Sequence, residues 1–251
     1  MQFLGIDFGW TSQPSGVARL RLSNECLHLE ELSRLPEPQQ VTDWVAAGTG
    51  TGDAMVAIDA PTVIANATGM RKADRAMHRH FGKQHAGCYP ANLASPFAGR
   101  TMALAASLAD LGFEHADRIE AQRPGRYQIE VYPHAAMLHL FQLPRILKYK
   151  KGRLAERRAG LARYRELLLE WLPRHEPALC LSALPEIPEG GAALKALEDQ
   201  LDALLCAYTG AWWWYWGSAR TMVAGNAHEG FIVVPVAGEP DVGKEHTTRK
   251  G

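Results

Sequence analysis

Cysteine is scarce and scattered in this chain of 251 residues: Cys26, Cys88, Cys180 and Cys206 form no C-x-x-C pair. Such spacing argues against a zinc ribbon, a thioredoxin-type redox motif and a disulfide framework, and it fits a reducing cytoplasm. An excess of either charge is also lacking, since 27 Lys and Arg balance 27 Asp and Glu. Any site for nucleic acid or another anion must therefore arise from a local patch, not from the field of the whole molecule. No run reaches the roughly 18 uninterrupted apolar residues of a membrane span, and no charged-then-apolar leader precedes MQFLGID. Neither a membrane span nor secretion is expected, and the sequon Asn66-Ala67-Thr68 reads as a chance match. No internal repeat is visible.

What the chain does have is apolar residues, 47% of the total, enough for a sizeable core. Residues 1–237 read as one domain and 238–251 as a disordered tail. Strand-like runs at 2–8, 16–22 and 26–32, separated by Gly, Ser, Pro and Asn, predict an antiparallel meander. A helix near 39–47 and a GTGTGD turn lead to a fourth strand, AMVAIDAP (54–61). Residues 62–126 lose strand character and read as a helical insertion, with helices near 69–80 and 101–111. RYQIEVYP (126–133) alternates as a fifth strand, ended by Pro133. The remainder is mostly helical, at 133–142, 154–172 and 191–216, before a late run FIVVPV that Pro235 marks as an edge strand.

The apolar runs share an oddity: the strands at 2–8, 54–61 and 126–133 each reach an acid near their C-terminal ends, Asp7, Asp59 and Glu130. Burying a lone carboxylate in a sheet core is costly, so these belong at an open edge. If the three strands lie parallel, the acids emerge together at the carboxyl edge, where open α/β sheets bind ligands. The helical ALEDQLDALLCAY adds Glu198, Asp199 and Asp202 on one side of a helix whose apolar stripe is Leu201, Leu204 and Leu205. Hard oxygen donors of this kind favour Mg²⁺ or Mn²⁺. Two such ions about 4 Å apart activate water and stabilise a leaving oxygen in phosphodiester cleavage. Each acid also has a plainer use: Asp59-Ala60-Pro61 suits a turn, and Glu198 and Asp199 suit a solvated helix face.

RKADRAMHRHFGKQH (71–85) is basic and follows the second acidic strand end, making Arg71, Arg75 and Lys83 candidate phosphate partners, or else members of an exposed basic helix. His78, His80 and His85 lack the usual zinc spacing. His134, close to Glu130, is a candidate proton shuttle or a helix-start residue bonded to backbone. In RILKYKKGRLAERR (145–158), Tyr149 among seven basic residues suits a strand-tracking surface with a stacking ring, or an exposed loop. The stretch AWWWYW (211–216) suits a core or a homodimer interface.

The ordered set GIDFGW, VAIDAP, NATGMRKADR, HRHFGKQHAGCYPANL, IEVYPHAA, LPRILKYKKGR and ALEDQLDALLCAYTG resembles an uncharacterised family of predicted nucleases with an RNase H-like fold, over about residues 1–236. The resemblance implies a five-stranded mixed α/β sheet flanked by helices, and metal ligands at Asp7, Asp59 and Asp202. Glu130 departs from the commonest nuclease arrangement and enters as a ligand, a base or a supporting residue, with Asp199 as a further ligand. The resulting expectation is a cytoplasmic nuclease using Mg²⁺ or Mn²⁺ on a nucleic acid or nucleotide. Two other classes compete: an actin-like ATP-dependent phosphotransferase, whose aspartate-glycine turn IDFGWTS resembles, and a non-enzymatic nucleic-acid-binding module. Against the phosphotransferase, GTGTGD precedes its strand instead of following it.

Overall fold

The computed structural model describes residues 1–11, 13–181 and 183–236. The tail expected to be disordered, 238–251, lies outside the described residues. Seven strands form one mixed sheet flanked by helices, in the order β5-β6-β4-β1-β2-β3-β7. The meander is β1 (Gln2–Asp7), β2 (Ser15–Ser23) and β3 (Cys26–Leu35), with antiparallel pairing throughout. β4 (Ala54–Ile58) and β6 (Arg126–Glu130) then add parallel to β1, in register Ile6↔Ile58↔Glu130. The expected five strands are therefore all present, but the sheet is wider. β5 (Glu114–His115) and β7 (Ala178–Cys180) extend its two edges and are too short to show any alternation in sequence.

Period-two alternation assigns the faces. Leu4 and Ile6 of β1, with Val56 and Ile58 of β4, pack against α1 (Pro38–Thr49) and α3 (Ala98–Asp110) through Val41, Val45, Leu104 and Leu108. Phe3, Met55, Ala57 and Ile129 face the other way, into a larger core with α4 (Pro133–Leu140), α5 (Leu154–Trp171) and α6 (Gly191–Trp216). Because both faces of β1 and β4 are covered, these strands read as near-continuous apolar runs. α6 lies directly on β1 and β2. A Cβ on Gly5 would collide with the backbone of Ala203 and Ala207, and one on Gly16 with the backbone of Asp199 and Gln200.

Residues 62–126 carry α2 (Lys72–Phe81), α3 and β5. The FIVVPV run is not an edge of the main sheet. It forms β9 (Gly230–Pro235), paired with β8 (Thr221–Asn226) in a separate hairpin that touches the main sheet at a Val131↔Val233 bridge. The aromatic stretch is largely core, with Tyr215 and Trp216 half-buried at its end. Trp212, Trp213 and Trp214 are buried, and their indole N–H groups donate to the carbonyls of Arg220, Ala116 and Arg123. A helix apolar all round is a buried helix. The cysteine reading also needs correction. Cys26 and Cys180 form a disulfide between β3 and β7 across 154 positions of sequence, so no local spacing could mark it, and the cysteines no longer argue for a reducing compartment. Among the described residues no helix is long and apolar enough to cross a membrane.

Candidate functional site

The parallel pairing of β1 with β4 brings Asp7 and Asp59 side by side. Asp59 N–H donates to Ile6 O at 2.8 Å, which continues the ladder one step past Ile58. Both residues are odd-numbered on strands whose odd positions face α6, so both belong to the α6 side of the sheet's carboxyl edge. They border a cavity of about 380 Å³ whose walls also include Trp10, Tyr89, Tyr132, His134, Lys150, Lys195 and Asp199. The turn after β1 is fastened over this edge: Trp10 Nε1–H donates to Asp59 O at 2.9 Å, and Arg100 Nε–H donates to Gly9 O at 2.8 Å.

α6 supplies Asp199 and Asp202, one turn apart. Asp202 is fully buried, with the Tyr149 hydroxyl donating to its Oδ1 at 2.7 Å and Lys150 Nζ in ion-pair contact with Oδ2 at 2.7 Å. Tyr149 is thus a buried support for Asp202, which corrects its reading as a stacking ring. Lys150 reaches from Asp202 into the cavity wall. Asp199 is held from two sides, by Lys195 Nζ at 2.7 Å and Arg34 Nε at 2.9 Å. Glu198 pairs with the same Lys195 and with Arg157.

Among the described residues, Asp7 and Asp59 have no side-chain hydrogen-bond or ion-pair partner. Asp7, Asp59 and Asp202 thus gather three carboxyl groups around the ammonium of Lys150. The electrostatics follow. Burial, reinforced by the charge of Asp202 and only partly offset by Lys150, raises the Asp59 carboxyl to about 7. Asp7 is raised well above the usual carboxylate range by the same burial and the neighbouring acids, again against Lys150. Burial draws Lys150 down, but Asp202, Asp7 and Asp59 together outweigh it and hold the ammonium firmly protonated. Burial and the nearby Lys150 push His134 down to about 4, so at neutral pH its imidazole is uncharged and the neutral-pH proton shuttle does not fit it.

Glu130 does not line this cavity, although it borders a smaller pocket with Asp59 and its charge helps to raise that carboxyl. It is in register with Ile58, one residue out of phase with Asp59, so it faces the opposite side of the sheet. There Arg71 grips it through two parallel contacts of 2.7 Å, and the same guanidinium binds Asp74 Oδ1 at 2.7 Å and Val63 O at 3.0 Å. Arg71, Asp74 and Glu130 are all buried. This corrects two expectations, because Glu130 and Arg71 saturate one another and are unavailable to a metal or a phosphate. Arg75 is exposed and borders a separate depression with Asn66, Lys72 and Glu229, while exposed Lys83 sits in the turn after α2. Neither borders the Asp7 cavity. GTGTGD joins α1 to the start of β4, at the opposite edge of the sheet.

Of the expected acids, Asp7, Asp59, Asp199 and Asp202 converge. Among the described residues, however, no three His, Cys, Asp or Glu side chains are placed to hold a metal ion between them. Sequence reading missed Lys150 and Lys195. Lys195 was accessible from its i+3 and i+4 spacing to Glu198 and Asp199, whereas nothing local singles out Lys150 within its basic run.

Residues 5–228 match a family described as protein of unknown function, DUF429, and the chain belongs to that family. No curated protein and no solved structure matches.

Proposed function

We propose that this protein is a divalent-cation-dependent phosphodiesterase, a nuclease on an RNase H-like sheet, with its site at Asp7 and Asp59. One observation carries the reading: two adjacent carboxylates at the ends of parallel strands, on one face, open to a cavity and without a side-chain partner among the described residues. Fully ionised, these three acids outnumber the Lys150 ammonium by two charges, which one divalent ion would offset while displacing the protons that the raised Asp7 and Asp59 carboxyls otherwise hold. Mg²⁺ and Mn²⁺ suit such a place, since Mg²⁺ in particular is held by one or two carboxylates with water and substrate phosphate completing its shell, not by an all-protein cage. The strand plan supports the fold assignment: an antiparallel meander, two strands added parallel to the first, and an acidic helix laid across them.

In this reading Asp7 and Asp59 are the ligands. Asp202 stands behind them and, already engaged by Tyr149 and Lys150, fixes the lysine. When bound, the ion polarises a phosphoryl oxygen and lowers the pKa of a coordinated water. Lys150 presents a permanent positive charge to the cavity, where it stabilises the charge that builds on phosphate oxygens. Lys195, fixed by Asp199 and Glu198, lies along the same wall. His134, neutral at pH 7, offers one N–H and one lone pair to orient a water or hydroxyl group. Trp10 and Arg100 hold the β1 turn in place over the edge.

Isothermal titration with Mn²⁺, together with hydrolysis of a labelled oligonucleotide, tests the proposal. Wild type should bind Mn²⁺ and cleave, and Asp7→Asn and Asp59→Asn should each lower turnover at least about a hundredfold, as loss of a charge-stabilising group does. Cleavage that persists in the double variant, or no Mn²⁺ binding by wild type, overturns it.

A further inference from the structure

Tyr89 is the most exposed large hydrophobic side chain among the described residues, at 76%. Its backbone, by contrast, is fastened on both sides. The Tyr132 hydroxyl donates to Gly87 O at 3.3 Å, and His78 Nε2 meets Cys88 O at 2.8 Å. Beyond Pro90, Ala91 N–H donates to the buried Asp74 carboxylate at 2.9 Å, Asn66 Nδ2 donates to Ala91 O at 3.1 Å, and Leu93 N–H donates to Asn66 O at 2.9 Å. A clamped segment thus holds one bare ring at the rim of the Asp7 cavity. Trp10 borders the same cavity, fixed by its bond to Asp59 O and by packing on Phe97 with ring centroids 4.6 Å apart. The Tyr89 ring takes no part in the charge networks described above, although its clamp shares Asp74 with the Arg71 cluster.

We infer that this rim stacks an unpaired nucleobase, and that the substrate is single-stranded nucleic acid delivered one nucleotide at a time to Asp7 and Asp59. The inference rests on the phosphodiesterase reading and narrows its substrate class. Three features favour this occupant. The rings of Trp10, Tyr89 and Tyr132 are flat and sequence-tolerant partners for any base. They border the same cavity as the Lys150 and Lys195 ammonium groups, which suit the attached phosphate. The cavity, at about 380 Å³, is of a size for one small ligand and not for a duplex. Fastening the backbone on either side of Tyr89 beforehand lowers the segment-ordering part of the cost of binding.

The test uses the Asp7→Asn variant in EDTA, which neither cleaves nor repels phosphate as strongly. Fluorescence anisotropy is read with a labelled pentathymidine, an abasic strand with the same number of phosphates, and a hairpin duplex. Pentathymidine should bind roughly tenfold or more tighter than the abasic strand, in line with a stacked base. Adding Tyr89→Ala should erase that margin, and adding Tyr89→Phe should keep it, with thermal midpoints unchanged because the ring is exposed. Equal affinity for the abasic strand, equal affinity for the hairpin, or a margin that survives Tyr89→Ala overturns the inference while Mn²⁺ binding and cleavage by wild type still stand. Absence of Mn²⁺ binding sinks the phosphodiesterase reading instead, whatever the base preference.

Discussion

Replacing Asp59 by Asn should make the protein more stable, and by an amount that depends on pH. The Asp59 carboxyl titrates near its ordinary value of 3.8 in the unfolded chain and at about 7 in the fold. Between those values the folded protein keeps a proton that the unfolded chain has released. Raising the pH from about 4 to about 7 therefore favours unfolding, and the stability present below 4 is gone once the folded group has ionised. A rise of roughly three pH units at about 1.4 kcal/mol each sets an upper bound on the order of 4 kcal/mol, reduced by solvent screening because Asp59 is only half-buried and opens to the cavity. Asparagine has no proton to lose, so the variant should match wild type near pH 4 and exceed it by up to about that amount at pH 8. Relief of Asp7, which Asp59 also pushes upward, is included in this difference. Urea unfolding at pH 4.5, 6 and 8 in EDTA reads it directly, and for a chain of this size the upper bound corresponds to roughly 8–16 °C in Tm. The buried histidines do not confuse the comparison. His115, His134, His139 and His175 all have lowered values and weaken the fold as the pH falls below their ordinary 6.5, but they do so equally in both proteins. Saturating Mn²⁺ should narrow the gap by stabilising wild type alone. A gap that is flat across pH, or under about 1 kcal/mol at pH 8, refutes the claim that Asp59 is an unpartnered carboxylate in a desolvated site.

Five further variants have defined outcomes. Glu130→Gln should cost about 3–5 kcal/mol in urea unfolding, because it strips one partner from the buried Arg71 clamp, and Lys83→Ala should leave both stability and cleavage unchanged. Tyr149→Phe should cost about 1–3 kcal/mol by removing a hydrogen bond from the buried Asp202, and in cleavage assays it should lower turnover more than it changes KM, because Lys150 loses its fixed anchor. Gly5→Ala should destabilise by about 3 kcal/mol or more by forcing α6 off the sheet. Gly99→Ala, with open space around it, should be neutral or stabilise by up to about 1 kcal/mol in thermal denaturation.

The strands that carry the site were legible because covered strands must be apolar, and because several such runs closing on an acid form a joint pattern that a single turn or cap residue does not account for. GIDFG and VAIDAP announced Asp7 and Asp59 on those grounds, and the stripe of α6 announced Asp199 and Asp202. Glu130 misled for a physical reason. A strand's sequence shows which residues alternate but not the register against its neighbour, and a single step of register sends the side chain to the other face. Lys150 was hidden because its partners come from three distant segments. β5 and β7 were hidden because two or three residues cannot display a period. The tryptophans admitted two readings until their N–H groups were found to be satisfied within the fold.

The contact of α6 with Gly5 and Gly16 sets where this protein can be altered. The acidic helix is seated on bare main chain, so nothing at that junction can be enlarged, and no side chain there can be traded for another to shift the carboxylates. Variation in what the cavity accepts has to come from the segments above it, the turn after β1 and the stretch around Tyr89. The two jobs are therefore kept on separate lengths of chain, and a redesign of preference can leave the seating untouched.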